Sequence, residues 1–224
     1  VVYWGGGARR IASFAYTFSV LLIKIEKMEE KKIERRCSAA TFEVRAEEGN
    51  SRHVVGYASV FDSPSTDIGF REIIKPGAFD GVIMVSDVFA LMNHDMRRGV
   101  LARSNKGEGS LKLYIDDAGL KYEFDAPNTA LGDELIEGLR RGDIGASSFA
   151  FTVKEERWEK QADESYIRYI DKIDRLYDVS PVYQPAYEAT TCDLRGLEAA
   201  KTEAKAKAEE LAEMEKRQAM AAQK

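Results

Sequence analysis

Histidine is scarce in this chain: only His53 and His94 occur. Chemistry that needs an imidazole near neutral pH therefore has two candidates. His94 lies in Asn93-His94-Asp95, after the apolar run Asp87–Met92 and before Arg97-Arg98-Gly99-Val100. A histidine at the mouth of a strand is held by rigid backbone while its ring faces a cleft, as a general base requires. The alternative is a turn histidine hydrogen-bonded to Asp95. His53 sits beside Arg52 at a strand start, where a surface position is the simpler reading. The segment Gly145-Ala146-Ser147-Ser148-Phe149-Ala150-Phe151 carries two serines where a tight turn enters a buried strand. A serine hydroxyl is a poor nucleophile until a base takes its proton, so Ser148 matters only if His94 comes within reach. Otherwise both hydroxyls bond local backbone. Asp178 is flanked by apolar residues, and a carboxylate there needs a partner. Orienting an imidazole would supply one; an ion pair with an arginine would serve as well.

The order His94, Ser148, Asp178 has no G-x-S-x-G elbow and matches none of the common chain orders of serine hydrolases. The same constellation arises from unrelated orders, so this one remains admissible. Cys192 paired with His94 is a further, remoter nucleophile–base arrangement.

These residues must be positioned by elements that read as mostly β. Thr41–Ala46 alternates apolar and polar, and His53–Phe61 is rich in Val, Tyr and Phe before the turn cluster Asp62-Ser63-Pro64-Ser65. Asp87–Met92 suits a strand buried on both faces. Ser110–Ile115 and Leu120–Asp125 alternate around Asp116-Asp117-Ala118-Gly119, a hairpin signal. One strong helix follows: Thr129 as N-cap, Leu131, Leu135 and Leu139 on one face, and Gly142 as the stop. Ala146–Val153 and Val179–Tyr183 read as strands, while Ile167–Leu176 is ambiguous with strand favoured. The expected fold is mainly β with surface helices (α+β), a closed or nearly closed barrel.

The ends differ from the middle. Arg9 and Arg10 precede an apolar run from Ile11 to Ile23, too short to span a bilayer, which needs about 17–25 residues. No small-residue cleavage site follows it. Composition switches at Met28, so residues 1–27 are read as an upstream or disordered extension outside the domain. Residues 196–224 are rich in Ala, Glu and Lys and read as a solvated helix with favourable pairs Glu203–Lys207 and Glu213–Arg217. Leu197, Ala204 and Leu211 fall on a heptad too short to specify a coiled coil. A tether to a partner is the functional alternative.

Composition narrows the rest. The chain has 224 residues, 44% hydrophobic and 32% charged, with net charge −5, so a packed core is expected and wholesale disorder is not. The acidic balance argues against nucleic acid as the main partner. Cys37 and Cys192 are too few for a disulfide scaffold and lie outside any zinc-ligand pattern.

Seven blocks resemble one family. They are Ile33-Glu-Arg-Arg, Gly56-Tyr-Ala-Ser-Val-Phe-Asp, Ile74-Lys-Pro-Gly-Ala-Phe, Asn93-His-Asp through Leu101-Ala-Arg, Leu139-Arg-Arg-Gly-Asp-Ile, Ser148-Phe-Ala-Phe, and Asp178-Val-Ser-Pro-Val-Tyr-Gln-Pro-Ala-Tyr. Together, across residues 29–195, they resemble the prohead (capsid maturation) proteases of tailed bacteriophages, a family related in fold to the herpesvirus assemblins. The resemblance implies a serine endopeptidase on an assemblin-like barrel, residues 28–195, with His94 as base and Ser148 as nucleophile. Asp178 is favoured as third member, with His53 as the alternative, because assemblins use a second histidine. Ala150 stands where the family often has Gly, and Ser147 where a larger apolar residue is common, which leaves Ser147 as an alternative nucleophile. Oxyanion donors would be backbone N–H groups near Ser148 or in the turn Arg140–Gly142.

By the same resemblance the substrates are the phage major capsid protein and scaffold, with self-cleavage and a homo-oligomer also implied. No cofactor, metal, nucleic acid or membrane is implied. The place of action is the host cytoplasm, inside the assembling procapsid. A scaffolding protein that keeps the fold without catalysis is the competing class.

Overall fold

A computed structural model describes residues 32–38, 43–45, 52–65, 67–183 and 191–222. Eleven strands and two α-helices are found among them. The strands are β1 (Glu34–Ser38), β2 (Glu43–Arg45), β3 (His53–Val60), β4 (Arg71–Ile74), β5 (Asp87–Ala90), β6 (Ala102–Asn105), β7 (Glu108–Gly109), β8 (Lys112–Ile115), β9 (Gly119–Asp125), β10 (Ala146–Lys160) and β11 (Tyr166–Val182). The helices are α1 (Ala130–Arg141) and α2 (Thr191–Ala222). Residues 1–27 and the 184–187 part of the last family block lie outside the described residues.

The strands form two sheets. A seven-stranded sheet runs β1-β10-β11-β5-β6-β7, with β4 also paired to β11, and a four-stranded sheet runs β2-β3-β9-β8. Neither closes on itself, so the expected barrel is replaced by two open sheets. The mainly β, α+β class holds. β11 is the spine of the larger sheet. One edge pairs along its length with β10, while the other takes β4 at Ile167–Ile170 and β5 at Asp178–Val179, both parallel.

The core joins side chains of both sheets and α1, including Val54, Tyr122, Leu135, Phe149, Phe151 and Leu176. Phe149 stacks on Phe151 at 4.8 Å and meets Phe79 edge-on at 5.9 Å. That aromatic packing fixes the core-facing side of β10. Helix α1 is capped as its sequence requires: Thr129 accepts the Gly132 N–H at 3.3 Å, and Gly142 adopts a left-handed φ of 76°. Its Leu135 and Ile136 are buried, and Leu131 and Leu139 pack against the same core.

Three readings from sequence change. β5 is not buried on both faces: Asp87 is exposed and pairs with Arg103 of β6, whose guanidinium also covers the half-buried Phe89 ring at 5.0 Å. A neighbouring strand's arginine, rather than core, covers that face. The ambiguous Ile167–Leu176 and the strand at Val179 are one seventeen-residue strand. Helix α2 begins at Thr191, ahead of the residue-196 start expected for the helical tail. Leu197 packs with Phe70 and Tyr166, while most of the helix beyond it is exposed and carries the Glu203–Lys207 and Glu213–Arg217 pairs.

Strand β1 lacks an apolar alternation because the residues it buries, Glu34 and Arg36, are both charged. Arg36 donates to Glu34 and Glu72 at 2.8 Å, and Arg168 donates to the same two carboxylates at 2.6 and 2.9 Å. Glu156 also accepts from Arg168. Burial alone would push the Arg168 guanidinium down, but the Glu34 hydrogen bond and the charges of Glu72, Glu34 and Glu156 hold it well above its usual value. The cluster ties β1, β4, β10 and β11 together.

Candidate active site

Three residues far apart in sequence meet at one end of the larger sheet. Ser148 lies near the start of β10, opposite Ser180 of β11, and Ala150 lies opposite Asp178. Residues two apart on a strand share a face. Ser148, Asp178 and Ser180 therefore share a side, and Ser147, Phe149 and Phe151 occupy the other.

His94 reaches this side from the loop after β5. Asn93 and His94 both have left-handed backbone, φ 52° and 59°, which turns the chain sharply at the strand end. Asn93 secures the turn twice. Its N–H donates to the Pro181 carbonyl at 3.1 Å, and its side-chain oxygen accepts the Tyr183 N–H at 3.1 Å. Because β5 and β11 run parallel here, their ends emerge together, so the loop is held against the strand that carries Asp178.

The imidazole bridges two groups. Nδ1 lies 2.5 Å from Asp178 Oδ1, and Nε2 lies 2.6 Å from Ser148 Oγ. The tautomer that satisfies both contacts of an ionised carboxylate has its proton on Nδ1 and leaves Nε2 to accept from the Ser148 hydroxyl. Ser148 is 2% exposed, and the His94 ring is mostly covered. Asp178 is also buried and accepts a second hydrogen bond, from Ser180 Oγ at 2.7 Å. An imidazole placed this way can take the hydroxyl proton while the carboxylate stabilises the resulting cation.

The alternatives are placed elsewhere. Asp95 does not hold His94. It caps the 3-10 turn Met96–Arg98, accepting from Arg97 N–H at 3.0 Å and from the Arg97 guanidinium, which keeps its carboxyl below the usual range. His53 belongs to the four-stranded sheet and bonds Asp125 at 2.8 Å. Ser147 points to the opposite face, where its Oγ donates to the Tyr122 hydroxyl at 3.2 Å. Burial pushes that phenol's pKa up. The Cys192 side chain lies outside the described residues. Of the oxyanion candidates, the Gly142 N–H is engaged by the Leu139 carbonyl at 3.2 Å.

His94 opens onto a cleft of about 800 Å³ lined also by Arg35, Asn93, Asp95, Met96, Arg97 and Arg98. Arg98 is anchored by Glu134 of α1 at 2.5 Å, and Glu134 also accepts from Tyr183 OH at 2.5 Å. Among the described residues no group of three or more His, Cys, Asp or Glu side chains could hold a metal ion. No helix among them is long and apolar enough to cross a membrane.

Sequence reasoning missed Ser180 and Asn93. The spacing Asp178-x-Ser180 in a strand was the available signal for Ser180, since positions two apart share a face. Asn93 gave a weaker one, an asparagine beside a catalytic candidate at a strand end.

Compared with known proteins, residues 40–207 match the model of a family described as caudovirus prohead serine protease. No curated protein matches significantly. Among solved structures, the chain is similar to the capsid assembly protease gp21 of bacteriophage T4. The identity is 9%, the TM-score 0.38, and the match covers 67% of this chain and 99% of that one.

Proposed function

Because this chain belongs to the caudovirus prohead serine protease family, we propose that it cleaves peptide bonds with Ser148 as nucleophile, His94 as general base and acid, and Asp178 as the orienting carboxylate. The observation that supports this reading is the unbroken chain of hydrogen bonds from Asp178 through His94 to Ser148.

In this mechanism Ser148 Oγ attacks the scissile carbonyl carbon as its proton passes to His94 Nε2. Asp178 keeps the proton on Nδ1 and offsets the imidazolium charge. As the tetrahedral intermediate collapses, the C–N bond breaks and His94 returns the proton to the leaving amine. Water then attacks the ester carbonyl as His94 takes its proton, and the C–Oγ bond breaks as His94 returns that proton to Ser148, releasing the acid.

The proposed substrates are the phage major capsid protein and scaffold, with the enzyme itself as a third, and the place of action is the interior of the assembling procapsid. Homo-oligomer formation belongs to the same proposal. The test is co-expression with the capsid protein, scored by the latter's shortening on a gel. Shortening with the unaltered chain, and none with Ser148→Ala, is the expected result. Equal shortening by both overturns the nucleophile; no shortening by either favours a scaffolding role.

A further inference from the structure

Ser180 is fully buried, yet the mechanism above gives it no part. Its hydroxyl donates to Asp178 Oδ1 at 2.7 Å, the same oxygen that faces His94 Nδ1 at 2.5 Å. In the β10–β11 ladder Ser180 stands directly opposite Ser148. One cross-strand pair therefore presents the hydroxyl that faces the imidazole and the hydroxyl that grips the carboxylate. We propose that Ser180 is a positioning residue of the catalytic set, holding the Asp178 carboxylate in the plane and at the charge that His94 requires.

The physical reason is that Asp178 has few groups to fix it. The residues opposite it on the flanking strands are Ala150 of β10 and Phe89 of β5, neither of which donates from its side chain. The charged groups nearest along the cleft, Arg35, Asp95, Arg97 and Arg98, line it together with His94. Of these, Asp95 and Arg97 pair with each other, and Arg98 pairs with Glu134. Among the described residues the carboxylate thus has two side-chain donors, His94 and Ser180. A carboxylate held by one donor swings about its Cβ–Cγ bond and carries the imidazole with it. The second donor stops that rotation. It also draws off part of the negative charge, so less remains to stabilise the imidazolium.

This inference rests on the Ser148–His94–Asp178 reading. The experiment follows covalent labelling of Ser148 by a fluorophosphonate, read by intact mass. Ser148 Oγ bonds to phosphorus, fluoride leaves, and the hydroxyl proton passes to His94. The His94 titration is followed by NMR on the same proteins. Only two histidines are present, so His53→Gln assigns the pair.

Ser180→Ala should label about tenfold more slowly at saturating reagent, the order that a small misplacement of a reacting group costs. Its His94 titration should move upward relative to the unaltered chain, because the Asp178 oxygen facing Nδ1 no longer shares its charge with a second donor. Ser180→Thr, which keeps the hydroxyl, should restore both. If Ser180→Ala does not fold, Ser180→Cys, with a weak donor of similar size, carries the same comparison. An unchanged labelling rate and titration in a folded Ser180→Ala or Ser180→Cys overturns the inference alone, as does loss of thermal stability with both readouts normal. If the unaltered chain takes no label, or Ser148→Ala takes it equally, the nucleophile reading fails instead.

Discussion

Ser147 and Ser148 are neighbours in the chain and face opposite sides of β10, the first donating to the Tyr122 hydroxyl and the second facing His94 Nε2. Alternation along a strand assigns the two hydroxyls to different environments. Ser148→Ala should abolish proteolysis and fluorophosphonate labelling with the melting temperature nearly unchanged. Ser147→Ala should retain both activities and lose about 1 kcal/mol of stability, because the buried Tyr122 hydroxyl is left without that partner. Activity retained in Ser148→Ala and lost in Ser147→Ala would move the nucleophile by one position.

Asp178→Asn should fold but cut turnover by about three to four orders of magnitude, since a carboxamide favours the wrong imidazole tautomer and cannot offset its charge. His53→Ala should leave turnover unchanged, because its ring bonds Asp125 on the other sheet. Kinetics of both variants on one labelled protein substrate separate the two assignments. Near-normal turnover in Asp178→Asn with an inactive His53→Ala would make the third member a histidine.

Arg168→Met should destabilise the fold by about 3–5 kcal/mol, measured by denaturant unfolding. Removing one partner strands Glu34 and Glu72 as buried, undercompensated carboxylates. If stability is unchanged, the cluster is not what fastens β1 to the sheet.

Glu134 links α1 to the cleft by accepting from both Arg98 and Tyr183. Those hydrogen bonds, the Arg98 one foremost, hold its carboxyl below the usual range, and Glu134 in turn raises the Tyr183 phenol. A lowered carboxyl contributes fully above its unfolded value, about 4.3, and is lost as pH falls through the lower folded one. A raised phenol contributes fully below about 10 and is lost as pH rises through its folded value. Amide protection of Met96–Gly99, corrected for intrinsic exchange, should therefore be flat between about pH 5 and 9 and fall outside that window. Glu134→Gln should lower it a few-fold at neutral pH, in keeping with an exposed pair. A protection factor in Glu134→Gln equal to that of the unaltered chain would show that the contact does not steady the loop.

His94 was legible because histidine is rare here, with two in the chain, and Ser148 because it belongs to an adjacent serine pair at a turn; the structure brings both together with Asp178. The hairpin of Ser110–Asp125 and helix α1 were legible because local signals, an Asx turn and matched caps, agree with the tertiary packing. β11 was read as two pieces because register shifts at Ala150/Phe151, Thr152/Val153, Val153/Glu155 and Glu155/Glu156 disturb its pairing with β10. Ion pairs rather than apolar burial cover part of its length. β1 was hidden for the same reason, since Glu34 and Arg36 face inward as a charge network. Many short strands separated by turns fit a closed barrel and two open sheets equally well, and only long-range pairing tells them apart.

The parallel pairing of β5 with β11 has a consequence in time. His94 is 54 residues from Ser148 and 84 from Asp178, and β1 joins β11 through Glu34 and Arg168, 134 residues apart. Contacts this distant form late, because loop closure must precede them. During synthesis the chain carries His94 and then Ser148 for as long as β11 is missing, with the imidazole loop lacking the strand that holds it. The hydrogen-bonded set can therefore form only once Asp178 and the rest of β11 have been made. A chain that ends within β10 therefore lacks both the carboxylate that faces the imidazole and the strand that holds its loop.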